Sequence, residues 1–209
     1  YDVSLTITTA EGDDSCTQSR CIRVADPSLL LHSPATLTGA VIVANRGTLP
    51  QAEAKAAQAL SEELAARTSA SWPVTTEWPE SGPVIAITSR RSNAAPEWPA
   101  IGPEGYRLFV QQSAKSSPIV WVIGAEPRGA LYGVGKLLRS LEWGDAGTSL
   151  PELGDIVSAP TVPLRGHQIG YRNTANSYDK WTVARYDQYI RELVFFGANA
   201  IENIPFDTS

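Results

Sequence analysis

The sequence predicts an α+β fold of the α/β type, in which short strands alternate with three helices. Apolar residues change between a two-residue period and a three-to-four-residue period along the chain, and clusters of proline, glycine and serine separate these segments. Near its end the chain has a strand, a helix and a strand in order, which requires a parallel pair. With 209 residues, 43% of them hydrophobic, it can bury a core in one or two domains.

The first elements follow from these periods. Residues 3–9 alternate apolar and polar side chains, which indicates a strand exposed on one face. Residues 35–46 end in a nearly continuous apolar run, typical of a strand buried on both faces. Residues 49–69 are predicted to form a helix, because alanines and leucines recur at helical spacing and Pro50 stands near its start.

Four short strands are predicted next, at 72–79, 83–89, 105–112 and 119–125. At least three of them should be hairpin-like neighbours of the strand at 41–45. A second helix follows, with Pro127 in its first turn. Its apolar face consists of Ala130, Leu131, Val134, Leu137, Leu138 and Leu141. Residues 142–155 are interpreted as the loop that ends this helix.

The glycines of the second helix raise the question of a phosphate loop. Such a loop needs a glycine where Ala130 stands and a hydroxyl where Leu137 stands, so two of its four necessary positions fail. Gly129 and Gly133 are four residues apart and therefore share one helix face. We predict that these glycines let the helix backbone approach a sheet closely.

Residues 144–162 are rich in glycine, proline and serine, and we interpret them as a linker. The expected domains are therefore 1–162, with 1–34 poorly assigned, and 163–209. In the second domain, strands at 164–172 and 199–205 flank a helix at 182–196, with Thr182 as N-cap and Gly197 as its stop. A complete (β/α)₈ barrel needs roughly 200 residues or more, so we expect 163–209 to be the start of a truncated domain.

Charge and hydropathy exclude several function classes. The formal net charge is −5 and the basic residues are spread, so neither a nucleic acid nor an anionic membrane is an expected partner. No apolar run approaches the roughly 20 residues that span a bilayer. No cofactor is predicted, and the oligomeric state is unknown.

The cysteines give two alternatives. Cys16 and Cys21 lie five residues apart in a polar stretch suited to a turn, where they form either a disulfide closing a short loop or two free thiols. Neither His32 nor His167 stands at ligand spacing from them, so no metal site is predicted. The acidic run 11–14 lacks the spacing of a calcium loop and is interpreted as a solvated turn.

Three residues of the last segment are candidates for substrate binding. Glu202 lies near the C-terminal end of a parallel strand, the edge at which barrel and open α/β sites are built, and Arg172 would lie at the far end of the preceding strand. His167 is the third, although a lone histidine in a strand is often a hydrogen-bonded packing residue. For Glu202 a packing or capping role stays open. No catalytic residue is predicted within the chain.

Two segments together carry a family resemblance. "GPEGYRLFV" at 102–110, followed by "VIGAEPRGALYGVGKLL" at 122–138, resembles the small α/β domain that precedes the catalytic barrel in family 20 β-N-acetylhexosaminidases and family 67 α-glucuronidases. "PLRGHQIGYR" resembles the first barrel strand of the hexosaminidases. "YIRELVFFGANAIENIP" resembles the first barrel helix and second strand of the glucuronidases. The resemblance covers about residues 35–209.

The resemblance implies a mixed-sheet domain with helices packed on one side, followed by the first βαβ unit of a truncated (β/α)₈ barrel. It further implies the non-catalytic N-terminal portion of a secreted or periplasmic glycoside hydrolase whose carbohydrate substrate binds to the rest of the barrel. Asn173 and Gly170 stand where hexosaminidases carry a substrate-binding arginine and an aspartate, which weakens the hexosaminidase assignment. The alternative is a stand-alone carbohydrate-binding or interaction module, which predicts Trp72, Trp78 or Trp98 on one flat exposed face.

Overall fold

The computed structural model describes residues 3–9, 12–18, 34–44, 51–89, 100–112, 117–144, 147–169 and 181–203. The three helices are α1 (Gln51–Thr68), α2 (Pro127–Ser140) and α3 (Val183–Phe195). The first seven strands are β1 (Val3–Thr9), β2 (Gly12–Gln18), β3 (Ala35–Thr36), β4 (Val41–Ala44), β5 (Val74–Thr75), β6 (Val84–Ser89) and β7 (Tyr106–Gln112). The others are β8 (Pro118–Gly124), β9 (Glu142–Gly144), β10 (Gly147–Leu150), β11 (Ile156–Ser158), β12 (Gly166–Ile169) and β13 (Ala200–Asn203).

Six strands form one mixed sheet in the order β11-β7-β8-β6-β4-β5, here called the central sheet. Its parallel pairs are β5 with β4, β4 with β6, and β6 with β8. β7 pairs antiparallel with both β8 and β11. The predicted mixed sheet is therefore confirmed, and the strands predicted at 83–89, 105–112 and 119–125 lie beside one another in it. The expectation of at least three hairpin-like neighbours for the strand at 41–45 is wrong, because β4 lies between β5 and β6 and pairs with both in parallel.

Helices α1 and α2 cover one face of the central sheet, as predicted. Alternate residues of the strands, such as Ile42, Ile85 and Val122, join Leu60 of α1 and Leu137 of α2 in one buried cluster. This alternation follows from the two-residue period of a strand, which sends neighbouring side chains to opposite faces. The other face is apolar and buried as well; its cluster contains Val43, Val84, Ala86, Phe109, Trp121 and Ile123.

The segment interpreted as a loop and a linker contributes strands instead. β9 and β10 form an antiparallel hairpin, and β10 also pairs with β3. β11 extends the central sheet through antiparallel pairing with β7. The loop interpretation of 142–155 is therefore wrong for β9 and β10, and the linker interpretation of 144–162 is wrong for β10 and β11. Gly147 has φ +111°, a backbone conformation that favours glycine, and it is the first residue of β10. The domain boundary near residue 163 stays a prediction.

The acidic run near the amino terminus also differs from its interpretation. β1 and β2 form an antiparallel hairpin, in which Asp13 pairs with Thr8 and Asp14 with Ile7. These acidic residues belong to a strand, not to a solvated turn. Cys16 likewise lies in β2, opposite Leu5.

The last described segment forms the predicted βαβ unit, made of β12, α3 and β13. β12 and β13 pair in parallel, with Gly166 opposite Ala200 and Ile169 opposite Asn203. The hydroxyl of Thr182 accepts a hydrogen bond from the backbone N–H of Arg185 at 3.3 Å, which caps α3 as predicted. Gly197 has φ +94° and ends the helix in the left-handed region.

Candidate functional site

The candidate substrate residues lie along β12 and β13. Parallel pairing brings the carboxyl ends of both strands to one edge, beside the start of α3. In parallel α/β folds this edge holds binding sites. The register pairs His167 with Ile201 and Gln168 with Glu202. Side chains alternate along a strand, so these two pairs point to opposite faces.

His167 faces α3. Its Nε2 lies 2.9 Å from the hydroxyl of Tyr189, and the two rings meet edge to face with centroids 5.5 Å apart. The side chain is half-buried between strand and helix. This geometry favours the packing role that the sequence left open for His167, and its role in substrate binding stays a prediction.

Glu202 lies on the face away from α3, together with Gln168, and both residues are exposed. The structure therefore does not bring Glu202 and His167 together into one site. Arg172 and Cys21 lie outside the described residues, so neither the arginine's position nor the disulfide can be stated. Glu202 keeps its role as a prediction.

An aromatic cluster marks the start of α3. Trp181 meets Tyr186 and Tyr189 edge to face, with centroid distances of 5.5 Å and 5.0 Å. The guanidinium of Arg185 lies 5.1 Å from the centre of the Trp181 ring. Sequence reasoning did not find this cluster, although Tyr186 and Tyr189 are three apart in the helical segment and therefore share a face.

The flat aromatic face that a carbohydrate-binding module would need is not formed by Trp72 and Trp78. Trp72 is 4% exposed, and its indole N–H donates to the Thr68 hydroxyl at 2.9 Å. Trp78 is 46% exposed and packs against Trp121 on the central sheet. Trp98 lies outside the described residues. Burial of apolar surface explains the position of Trp72, which follows α1 and joins the buried cluster beside the end of that helix.

The glycines of α2 are packing sites, as predicted. A Cβ on Gly129 would lie 2.0 Å from the carbonyl oxygen of Gly105, and one on Gly133 would lie 2.7 Å from Val122 of β8. The same addition at Gly135 would lie 2.2 Å from the carbonyl oxygen of Phe195 in α3. Gly129 therefore packs on the turn before β7, Gly133 on side chains of β8 and β7, and Gly135 on the backbone of α3. None of the three positions leaves room for a side chain.

A small groove lies where the three helices meet. It encloses about 180 Å³, with Leu131, Val194 and Phe195 as apolar lining. At its rim, Arg191 of α3 forms an ion pair with Glu62 of α1 at 2.7 Å. Glu62 and Arg191 therefore neutralise each other, while Lys55 of the same groove donates a hydrogen bond to Gln58 at 3.0 Å.

One carboxyl group is buried beside the carboxyl end of β6. Glu53, in the first turn of α1, is 1% exposed, and its Oε2 accepts a hydrogen bond from the Ser89 hydroxyl at 3.5 Å. Within the described part of the chain, its other oxygen, Oε1, has no hydrogen-bond partner. Burial raises the pKa of Glu53 above its usual value, and the hydrogen bonds from Ser89 only partly oppose this effect.

Metal and membrane sites are not found in the described part of the chain. Its His, Cys, Asp and Glu residues form no group of three or more that could hold a metal ion. None of its helices is long and apolar enough to cross a membrane.

Part of the chain matches the model of a known protein family. The family model described as glycosyl hydrolase family 20, domain 2, matches residues 33–154, which is more than half of the chain. The chain belongs to this family. Its domain 2 therefore runs from the segment before β3 to the turn before β11, and it includes the glycine-rich helix α2. The resemblance stated from the sequence is confirmed. His167, Arg172 and Glu202 lie outside the matched residues.

Solved structures share the fold of this domain 2 chain at low sequence identity. A β-hexosaminidase of Streptomyces plicatus, in complex with the product GlcNAc, is 17% identical with a TM-score of 0.59, covering 84% of this chain and 32% of the enzyme. A family 115 4-O-methyl-α-glucuronidase is 17% identical with a TM-score of 0.59, covering 84% of this chain and 26% of that enzyme. A family 20 exo-β-N-acetylglucosaminidase of Vibrio harveyi is 12% identical with a TM-score of 0.55, covering 96% of this chain and 31% of that enzyme.

This chain spans about a third of the length of these enzymes or less. At such identities the likeness concerns the fold alone. No curated protein sequence matches the chain.

Proposed function

We propose that this chain is the non-catalytic N-terminal portion of a secreted glycoside hydrolase. In this proposal the central sheet with α1 and α2 is the accessory domain, and β12, α3 and β13 begin a (β/α)₈ catalytic barrel. Membership of family 20, domain 2, supports the first assignment, and the parallel βαβ unit supports the second. Secretion, or a periplasmic location, rests on the resemblance alone.

The observation that carries the proposal is the surface of the βαβ unit. Gln168 and Glu202 are exposed on the strand face away from α3. On α3, Val183 is 86% exposed and Ile190 is 36% exposed, whereas Phe195 is the residue of this helix that is buried. A strand pair with one open face and a helix with exposed apolar residues is typical of one sector of a closed barrel.

The proposed activity needs two carboxyl groups, or one carboxyl group and a substitute for the other. In glycoside hydrolysis two carboxyl groups flank the scissile bond, one as an acid and the other as a base or nucleophile. In the proposed enzyme these groups come from barrel strands beyond this chain, or an acetamido group of the substrate replaces one of them. Arg172 and Glu202 are proposed to contact the carbohydrate at the carboxyl ends of the first two barrel strands.

Activity of the longer protein tests the proposal. We expect the coding region to continue beyond Ser209, and the longer product to hydrolyse a nitrophenyl β-N-acetylglucosaminide or a nitrophenyl α-glucuronide. The 209-residue chain serves as the control and should hydrolyse neither. A stop codon directly after Ser209 would contradict the barrel assignment. Binding of chitin oligosaccharides by the 209-residue chain alone would instead favour the stand-alone binding module.

A second experiment tests Glu202. In the longer enzyme, Glu202→Gln should raise KM severalfold without lowering the melting temperature, because the side chain is exposed and holds no part of the core. Glu192→Gln is the matched control, since Glu192 is also exposed and accepts a hydrogen bond only on the helix surface, from Gln188 at 3.1 Å. Equal KM values for the two variants would exclude a substrate contact at Glu202.

A further inference from the structure

One carboxylate lies where the central sheet meets the βαβ unit. Glu104 accepts hydrogen bonds from the Arg165 guanidinium at 2.6 Å, from the Asn199 amide at 3.1 Å and from the Arg128 guanidinium at 2.5 Å. We call Glu104, Arg128, Arg165 and Asn199 the junction network. Its members come from four places: the turn before β7, the first turn of α2, and the residues directly before β12 and β13.

The turn that carries Glu104 is itself fixed. Glu104 has φ +58°, in the left-handed region that few non-glycine residues occupy. Its backbone N–H donates to Oε1 of Glu126 at 2.9 Å. The neighbouring Gly105 donates to the Gly102 carbonyl at 3.1 Å, and its own carbonyl accepts from the Ala125 N–H at 2.8 Å. The start of α2 therefore holds Glu104 in one orientation.

The partners of Glu104 fix the amino ends of both strands. Arg165 precedes β12 and Asn199 precedes β13. The Asn199 backbone N–H donates to the Arg165 carbonyl at 2.9 Å, and the Arg165 backbone N–H donates to Oδ1 of Asn199 at 2.9 Å. The Arg165 guanidinium also donates to the Gly197 carbonyl at 2.7 Å. A change at Glu104 therefore alters contacts to the residues that precede both β12 and β13.

Burial makes these contacts stronger than surface ion pairs. The Glu104 side chain is 11% exposed and that of Arg165 is 21% exposed. Burial of Glu104 disfavours its charge, but the hydrogen bonds from Arg165 and Arg128 outweigh this effect, so the pKa of Glu104 lies below its usual value. Removing one partner of such a pair leaves the other charge half-buried without compensation.

We propose that Glu104 is the residue through which the central-sheet domain holds the amino ends of β12 and β13 in register. It thereby sets the placement of the βαβ unit. The amino-terminal face of a barrel carries stability, whereas the carboxyl face carries the active site. Glu104 is thus a positioning residue that touches no substrate. The meaning of this contact for a catalytic barrel rests on the proposed function, whereas the contact itself does not.

Hydrogen exchange of the 209-residue chain tests the proposal. Backbone amides open locally at rates set by the contacts that hold each segment. In Glu104→Gln we expect the amides of β12 and β13 to exchange about tenfold faster or more, and those of β6 and β8 to keep their rates. A general loss of stability would accelerate all four strands alike.

Asp155→Asn is the matched control. The Asp155 carboxylate accepts two hydrogen bonds from Arg107, at 2.8 Å and 2.9 Å, and these side chains are 13% and 9% exposed. This ion pair lies within the central-sheet domain, so its loss should leave β12 and β13 exchange unchanged relative to β6. Equal exchange profiles for the two variants would overturn the proposal.

A conservative variant keeps the test meaningful if Glu104→Gln folds poorly. Arg165→Lys keeps the positive charge but not the several donors that reach Glu104 and the Gly197 carbonyl together. We expect the same selective acceleration in β12 and β13. Unchanged exchange in that variant would also overturn the proposal. Neither result depends on hydrolase activity, so a failure of the proposed function would be seen separately, in the glycosidase assay.

Discussion

Single atoms decide the role of two buried residues, Glu53 and Gly129. Glu53 is buried, and one of its carboxyl oxygens has no hydrogen-bond partner among the residues that the structure describes. Gly129 places its Cα against a backbone carbonyl, where a single methyl group has no room. In both cases the atoms around the side chain, and not the type of secondary structure, decide whether a substitution raises or lowers the free energy of unfolding.

Glu53→Gln should stabilise the protein at high pH. Burial raises the pKa of Glu53 in the folded chain above the usual 4.5, so the folded state holds this proton more tightly than the unfolded state. The contribution to stability is therefore full below pH 4.5 and is lost as the pH rises through the raised value. We expect the variant to gain about 1 kcal/mol of unfolding free energy at pH 8 and less at pH 4.

Urea denaturation at both pH values measures the effect of Glu53→Gln. The control is Glu77→Gln, at an exposed position. A gain that is equal at pH 8 and pH 4 would show that the charge of Glu53 is not its cause.

Gly129→Ala should destabilise the protein although alanine is the better helix former. In an open helix the exchange gains up to about 1 kcal/mol. Here the new methyl group would overlap the Gly105 carbonyl, and we expect a net loss of about 2 kcal/mol, measured by thermal denaturation. Gly144→Ala is the control, because nothing lies within 4 Å of the added atom. A stabilised Gly129→Ala variant would contradict the close packing of α2.

At the scale of elements, α2 is shared by both parts of the molecule. Gly129 and Gly133 face the central sheet, while Gly135 faces α3. Tyr132 donates a hydrogen bond to the Ala198 carbonyl at 3.3 Å, and Arg139 donates to the Phe195 carbonyl at 2.5 Å. α3 therefore docks through its last turn, whereas its first turn stays exposed.

Two neighbouring phenylalanines test this docking. Phe195 is 6% exposed and joins the core of the central sheet, whereas Phe196 is 74% exposed and lies beneath the Arg139 guanidinium. Phe195→Ala should cost about 3 kcal/mol of unfolding free energy. Phe196→Ala should cost less than about 1 kcal/mol, which is the size of an exposed cation–π contact. Denaturation of both variants measures this, and equal losses would contradict the docking geometry.

At the scale of the whole molecule, the central sheet and the βαβ unit form one folded body. Phe195 belongs to the same buried cluster as Leu60 and Val134, and the junction network adds charged contacts at the other end of the interface. Elements that share a core unfold together, since neither keeps its buried surface alone.

The chain should therefore unfold in a single thermal transition. Far-ultraviolet circular dichroism and tryptophan fluorescence are expected to give one coincident melting temperature, because the six tryptophans include residues of both parts, such as Trp72 in the core of the central sheet and Trp181 beside α3. Two transitions in the unsubstituted chain would show that the units are independent.

The sequence by itself determined the helices and the longer strands. Their apolar periods match buried faces, and Thr182 and Gly197 mark the ends of α3 through local hydrogen bonding and a left-handed backbone. It also determined the function of the glycines in α2, because residues four apart share a helix face wherever the helix lies. The family resemblance rested on the sequence segments at 102–110 and 122–138.

Only the tertiary structure decided which of these segments meet. β9, β10 and β11 have only three or four residues each, too few to show a strand period in the sequence. They become strands through tertiary pairing, β9 with β10 and β11 with the longer β7. The register of β12 with β13 separated His167 from Glu202, which sequence alone had grouped. Glu104 acquired its role from residues up to 95 positions away along the chain. Local patterns cannot specify such contacts, because a separation of tens of residues along the chain does not determine the distance between two side chains in the fold.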